Sequence, residues 1–326
     1  ALGMAYRQQG DLEQARAQLA QNRGGRVRID DPLLSQLGTL LQSSQMYFDA
    51  GVDAMKSGNY EEALRQFSIA RDLKPEDYLI PYNIALGLLR TGEEDEAIKW
   101  LQTSVENNPD FRNGHFNLAT MLAGRGRLEE AAHHFGEAHR IDPEDVEAHL
   151  EFATALGLTG QKEKAITELR ALLEIHPNQS GALLNLGILL AQRQQVDEAI
   201  RAFSDLIQIG ESPEAELAAH LRIATLEAER GMEESAIGHY RSAIELDPRS
   251  LEAYLGLASA LGRTGKFAEA ATEYSQVLAL DPARMDAHFG LVTALILSEQ
   301  YDSAVVSLEE SLSQPSAPLA LSLIHI

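Results

Sequence analysis

The chain has 326 residues and no cysteine, which excludes a disulfide framework, a thiolate metal site and a thiol nucleophile. Its 27 Lys and Arg against 49 Asp and Glu give a formal charge of -22, so the clustered basic surface that a phosphate backbone requires is missing and nucleic acid is excluded as a partner. No apolar run reaches the length of a membrane span, and the lack of cysteine fits cytoplasm or periplasm equally.

In chain order, residues 1–28 read as a truncated repeat followed by a basic loop. Leu2, Gly3 and Tyr6, then Gly10, then Ala15 and Leu19 mark a helix, a turn and a second helix; Gly24 and Gly25 with Arg23, Arg26 and Arg28 follow. The pattern is already under way at Ala1, so the chain is expected to be a fragment of a longer protein. Asp30-Asp31-Pro32 is a helix-start signal, with proline tolerated in the first turn, and it predicts a connecting helix over 29–43 that runs on into the first complete repeat.

Eight repeats of about 34 residues follow, at 44–77, 78–111, 112–145, 146–179, 180–216, 217–250, 251–284 and 285–318. Each predicts a helix, a turn and a second helix, and together they predict an all-α fold. Numbering each repeat from its first residue, the twentieth place is Ala in all eight, from Ala63 to Ala304, and the eighth is Gly or Ala in all but one, where Val292 stands. Small side chains at these places let paired helices approach closely. Place fifteen is Gly in six repeats, from Gly58 to Gly265, as a left-handed helix cap demands. Place thirty-two is Pro in six, among them Pro75, Pro109, Pro143 and Pro282, which stops the second helix.

Two repeats depart from the pattern. In 180–216, Glu211-Ser212-Pro213 replaces the usual stop, and Ser212 and Pro213 read as the cap and first residue of a lengthened helix. The last repeat has Glu299 and Ser316 in the Gly and Pro places and reads as a degenerate end unit. Residues 319–326 are a tail, of which 321–326, LSLIHI, read as a sequencing-adapter remnant and are set aside. The acidity belongs to the repeats and gathers where second helices begin, as at Glu61-Glu62, Glu129-Glu130 and Glu233-Glu234, where it meets the positive end of the helix dipole.

Small residues at places eight and twenty, an aromatic or Leu at twenty-four (aromatic as Phe67, Phe135, Phe203, Tyr240 and Tyr274) and Pro at thirty-two resemble the tetratricopeptide repeat (TPR) over nearly the whole chain. The resemblance implies a right-handed α-solenoid of antiparallel helix pairs, with first helices lining a concave groove that takes peptides or other proteins. On a first helix, places 4, 7, 8 and 11 share the packing side and 2, 5, 6, 9, 12 and 13 the groove side. Place five is apolar throughout, and its aromatics at the N-terminal end suggest a strip of Phe48, Met55, Tyr82, Leu86, Leu89 and Phe116 for an apolar peptide anchor. Asn83, Asn117 and Asn185 occupy place six, where amides offer donor and acceptor to an extended backbone. This resembles the asparagine ladder of O-linked N-acetylglucosamine transferases, interrupted here by Asp49, Glu151, Arg222, Gly256 and Gly290.

Catalytic signatures are missing: there is no HExxH, no phosphate-cradling glycine loop and no nucleophile elbow. His115, His149, His220 and His288 recur at place four and read as a structural slot in the packing surface. His133 and Glu137 stand one helical turn apart without a third metal ligand, so neither a metal nor a cofactor is expected. The expectation is a non-enzymatic scaffold binding an unidentified protein or peptide. The alternative is the non-catalytic, substrate-recruiting or regulatory arm of a larger enzyme or haem protein, suggested by a resemblance to repeat arrays of large bacterial proteins with a haem-bearing domain, although no CxxCH occurs here. Self-association through end repeats is a third reading.

Overall fold

The structure, a computed structural model, describes residues 32–313, with side chains described over 43–312. The readings of 1–31 and of the tail lie outside the described residues. Among those described, every regular element is an α-helix, so the fold is all-α. The chain divides after Asp110 into two compact units.

The first unit contains α1 (Pro32–Lys56), α2 (Tyr60–Leu73), α3 (Leu79–Thr91) and α4 (Glu94–Asn107). From Pro32, α1 continues without a break into the first repeat. Consecutive helices pack on one another, and α1 also touches α3. The interior is built from Ala63, Phe67, Ile80, Ile84, Ala97 and Leu101, each at most 5 % exposed. Phe67 lies so close over α1 that a Cβ on Gly51 would stand 2.5 Å from its ring, so glycine at that place is a steric requirement.

The second unit continues with α5 (Arg112–Gly124), α6 (Leu128–Ile141), α7 (Val146–Leu158), α8 (Lys162–Ile175), α9 (Ser180–Gln192) and α10 (Val196–Ile209). It ends with α11 (Pro213–Glu229), α12 (Glu233–Leu246), α13 (Leu251–Arg263), α14 (Phe267–Leu280), α15 (Met285–Leu297) and α16 (Tyr301–Ser313). Each helix packs on the next, and alternate first helices also touch, as α7 does α9 and α9 does α11. One apolar cluster runs from Ala153 to Ile223 and another from Ala224 to Ala304. The eight place-twenty alanines of the two units are all at most 5 % exposed, the close approach their size predicts.

The turn inside each repeat is the same throughout. The residue at place sixteen donates its N–H to the carbonyl at place eleven, from Asn59 to Ala54 through to Gln300 to Leu295, at 2.9 Å in all eight cases. Place fifteen has positive φ every time, including the two non-glycines, Gln194 at 61° and Glu299 at 60°. At Glu299, in the end repeat, the turn is the same as elsewhere: the backbone hydrogen bond holds the left-handed conformation even where a side chain disfavours it. The lengthened helix is as expected, since α11 has Ser212 accepting from the Ala215 N–H at 3.1 Å and Pro213 in its first turn.

The acidic helix starts do more than complement the dipole. In the second unit they pair with bases one repeat away: Arg170 with Glu198 at 2.6 Å, Arg193 with Glu163 at 2.6 Å, Arg263 with Glu233 at 2.5 Å and Lys266 with Glu234 at 2.9 Å. All are largely exposed apart from Glu233, so each contributes little to stability.

Candidate first-helix binding face

The division of the first helices α5 and α13 into packing and open sides follows the sequence pattern, whereas on α1 Ala50, at place seven, is exposed. On α5, Leu118, Ala119 and Leu122 are fully buried, while Phe116, Asn117 and Ala123 are half-buried and Asn113 and Thr120 are more open. The same division recurs on α13, where Leu257, Ala258 and Leu261 are buried and Leu255, Gly256 and Ser259 are half-open.

In the first unit, Phe48, Met55, Tyr82, Asn83, Leu86 and Leu89 are not fully covered, and Leu88 beside them is buried. The Phe48 ring lies 5.7 Å from that of Phe67, tilted by 50°. The Met55 sulfur sits 3.6 Å from where a Cβ on Gly87 would be, so it packs across α1 and α3. Asn83 donates from Nδ2 to the Leu79 carbonyl at 2.8 Å, one turn back on its own helix. Trp100, half-buried, has the Arg71 guanidinium 5.2 Å above its ring.

In the second unit, Phe116 meets Phe135 edge-on at 5.4 Å and carries the Arg112 guanidinium 4.7 Å above its ring. Asn185 donates from Nδ2 to Thr154 Oγ1 at 2.8 Å, tying the first helices α7 and α9 together. Phe48 and Phe116 therefore pack against the place-twenty-four aromatic of their own repeat, and Asn83 and Asn185 already use a donor internally. What remains open is the outer side of these rings.

Two cavities on the same face, in the second unit, were missed by sequence reasoning. One of about 350 Å3 is lined by Ser259, Arg263, Phe267, Tyr274, Phe289 and Leu297 among others. The other, of about 230 Å3, is lined by Thr225, Glu229, Tyr240 and Gly256 and shares Ser259 and Arg263 with the first. The cause is a coupled exchange of side chains. A Cβ on Gly256 would stand 2.2 Å from the Tyr240 ring, and one on Gly290 2.3 Å from that of Tyr274. Each tyrosine of one repeat fills place six of the next, which is why glycine interrupts the asparagine series there. The readable signal was Tyr at place twenty-four followed by Gly at the next place six.

The place-four histidines find partners at place twenty-three. His115 Nδ1 meets His134 Nδ1 at 3.0 Å, His220 Nδ1 meets His239 Nδ1 at 2.9 Å, and His149 Nε2 meets Glu168 Oε2 at 3.0 Å. His288 Nε2 instead faces the Pro282 carbonyl at 3.0 Å. Burial, with His115 and His133 nearby, pushes His134 down to about 4; burial and His239 likewise lower His220. On the open side of α7, burial and then Glu147 raise Glu151 above the usual carboxylate range. His133 is exposed and Glu137 pairs with Arg140 at 2.9 Å, so these two do not form a shared site.

Models of the tetratricopeptide repeat match residues 48–110, 122–180 and, in overlapping segments, 184–318, with a further match at 1–21. The chain belongs to the tetratricopeptide repeat family. No curated protein matches it significantly. Among solved structures, the TPR array is similar to the C-terminal part of a TPR repeat-containing protein from Cytophaga hutchinsonii, with TM-score 0.62, 18% identity and coverage of 75% of this chain and 99% of that one. It is also similar to YrrB, a TPR protein with an unusual peptide-binding site, with TM-score 0.50, 21% identity and coverage of 57% and 95%. A third likeness is to the structure of Naa15/Naa10 bound to HypK-THB, with TM-score 0.53, 18% identity and coverage of 84% and 43%. At these identities the likeness shows the fold. No described helix is long and apolar enough to cross a membrane.

Proposed function

We propose that this TPR array is a non-enzymatic scaffold that binds a protein or peptide on the open side of its first helices. The observation that carries the reading is the recurring division of these helices, seen on α5 and α13: places seven, eight and eleven are buried, while the apolar or aromatic group at place five stays half-open. A half-open apolar strip with polar neighbours suits an extended ligand, with side-chain anchors on the rings and backbone on the amides. The similar fold of YrrB, a TPR protein with a peptide-binding site, is consistent with this use.

In the first unit the proposed anchors are Phe48, Met55, Tyr82, Leu86 and Leu89 with the amide Asn83; in the second they are Phe116 with the amides Asn117 and Asn185. The reading is the same whether the array acts alone or as the arm of a larger enzyme. Selection of random displayed peptides on the full chain, followed by calorimetry, tests it. Replacing Asn83, Phe116 and Asn117 together by Ala is expected to weaken selected peptides at least roughly tenfold, the size of one lost hot-spot contact. Selected peptides insensitive to that variant and to Phe289→Ala in the second-unit cavity would remove the first-helix face as the site.

A further inference from the structure

The second unit brings three metal-ligating side chains together from three successive helices. His139 lies in the last turn of α6, His149 in the first turn of α7 and Glu168 in the middle of α8. One ligand atom from each lies within 4.8 Å of the other two. The His139 and His149 rings are stacked with centroids 3.9 Å apart, and the His149 side chain is 7% exposed against 32% for Glu168. His139 Nδ1 is itself buried and has no hydrogen-bond partner.

Those facts are awkward for a purely structural cluster. A buried imidazole nitrogen without a partner is an uncompensated desolvation. Making Nδ1 a donor does not satisfy it either, since no acceptor lies within reach. A divalent ion takes the lone pairs of neutral imidazoles and the charge of a carboxylate together. The other place-four pairs lack this arrangement. His115 with His134, and His220 with His239, are two-ring contacts in which one Nδ1–H satisfies both nitrogens.

We propose that His139, His149 and Glu168 bind one divalent transition-metal ion of the zinc class, bracing the repeat 112–145 against the repeat 146–179. Two imidazoles and one carboxylate are a zinc donor set, and they leave a fourth position for water. Binding requires the side chains, the stacked rings included, to rotate until each ligand atom stands about 2.0–2.2 Å from the ion. The sequence pattern placed His149 in a packing slot and did not connect it with His139, because the two belong to different repeats.

The test uses the full chain, stripped with a chelator and titrated with Zn2+ by calorimetry and with Co2+ by visible absorption. One equivalent of Zn2+ is expected to bind, to raise the melting temperature, and to be matched by intense bands of low-coordinate Co2+. His139→Gln and Glu168→Gln should each weaken binding at least tenfold, and the double variant should abolish the bands. Neither residue is fully buried, and the amide introduced by Glu168→Gln keeps a hydrogen-bonding group for His149, so melting of the variants in chelator should match the parent. His133→Gln, on an exposed side chain of α6, should bind as the parent does. No saturable one-equivalent binding to the parent, or binding unchanged in the double variant, would overturn the proposal.

Discussion

At the scale of single residues, the array is governed by what a Cβ or a ring can occupy. Tyr240 is 6% exposed and reaches across to the following repeat, where Gly256 leaves it room. Gly256→Ala is expected to destabilise the chain by about 1 to 3 kcal/mol, the usual cost of overpacking, because its Cβ would stand 2.2 Å from Cε1 and 2.3 Å from Cζ at the hydroxyl end of the ring, which would have to move. Urea unfolding with the parent as reference measures it, and a neutral result would contradict the packing described. The sequence made the alanines and glycines of the period legible as small-residue places. It did not reveal which aromatic each glycine faced, since that contact crosses from one repeat to the next. Nor did it reveal that Phe48 and Phe116 would rest on Phe67 and Phe135, because periodicity gives the side of a helix and not the neighbour on it.

At the scale of the element, the helix–turn–helix depends on a left-handed residue closed by a backbone hydrogen bond. Gln194 and Glu299 adopt it with side chains that disfavour it. Gln194→Gly and Glu299→Gly should each stabilise by about 0.5 to 1 kcal/mol, the relief of left-handed strain less the added entropy of an unfolded glycine. Unfolding midpoints read the gain, and a loss of stability at both positions would mean that the side chains make compensating contacts. Glycine at six of the places marked the cap in the sequence. At the remaining two the backbone bonds from Gln195 to Leu190 and from Gln300 to Leu295 hold the same turn without any residue signal. Helix starts were legible for a different reason: Ser212 and Pro213 combine a cap acceptor with a fixed φ, and both act locally.

At the scale of the molecule, the repeated packing surface carries ionisable groups whose charge folding opposes. His134 is held down to about 4 and His220 is also lowered, chiefly by burial, while an unfolded histidine titrates near 6.5. Between those values the unfolded chain binds more protons than the folded one, so stability is complete above about pH 6.5 and is lost as pH falls toward 4. Urea midpoints at a series of pH values should therefore fall across this window. His134→Gln with His220→Gln should flatten the decline, and an unchanged slope in that variant would assign the loss to other groups. The family and the all-α array were legible because a period repeated eight times averages over local exceptions. The second-unit cavities and the His139, His149 and Glu168 cluster were not, because each arises where side chains from different repeats meet.

The central claim is that the open side of the first helices is the binding surface, and hydrogen exchange of the full chain with and without a selected peptide tests it most directly. The account predicts slowed exchange concentrated in first helices such as α1, α3 and α5, with second helices unchanged. Protection confined to second helices, or to the turn before α11, would contradict it.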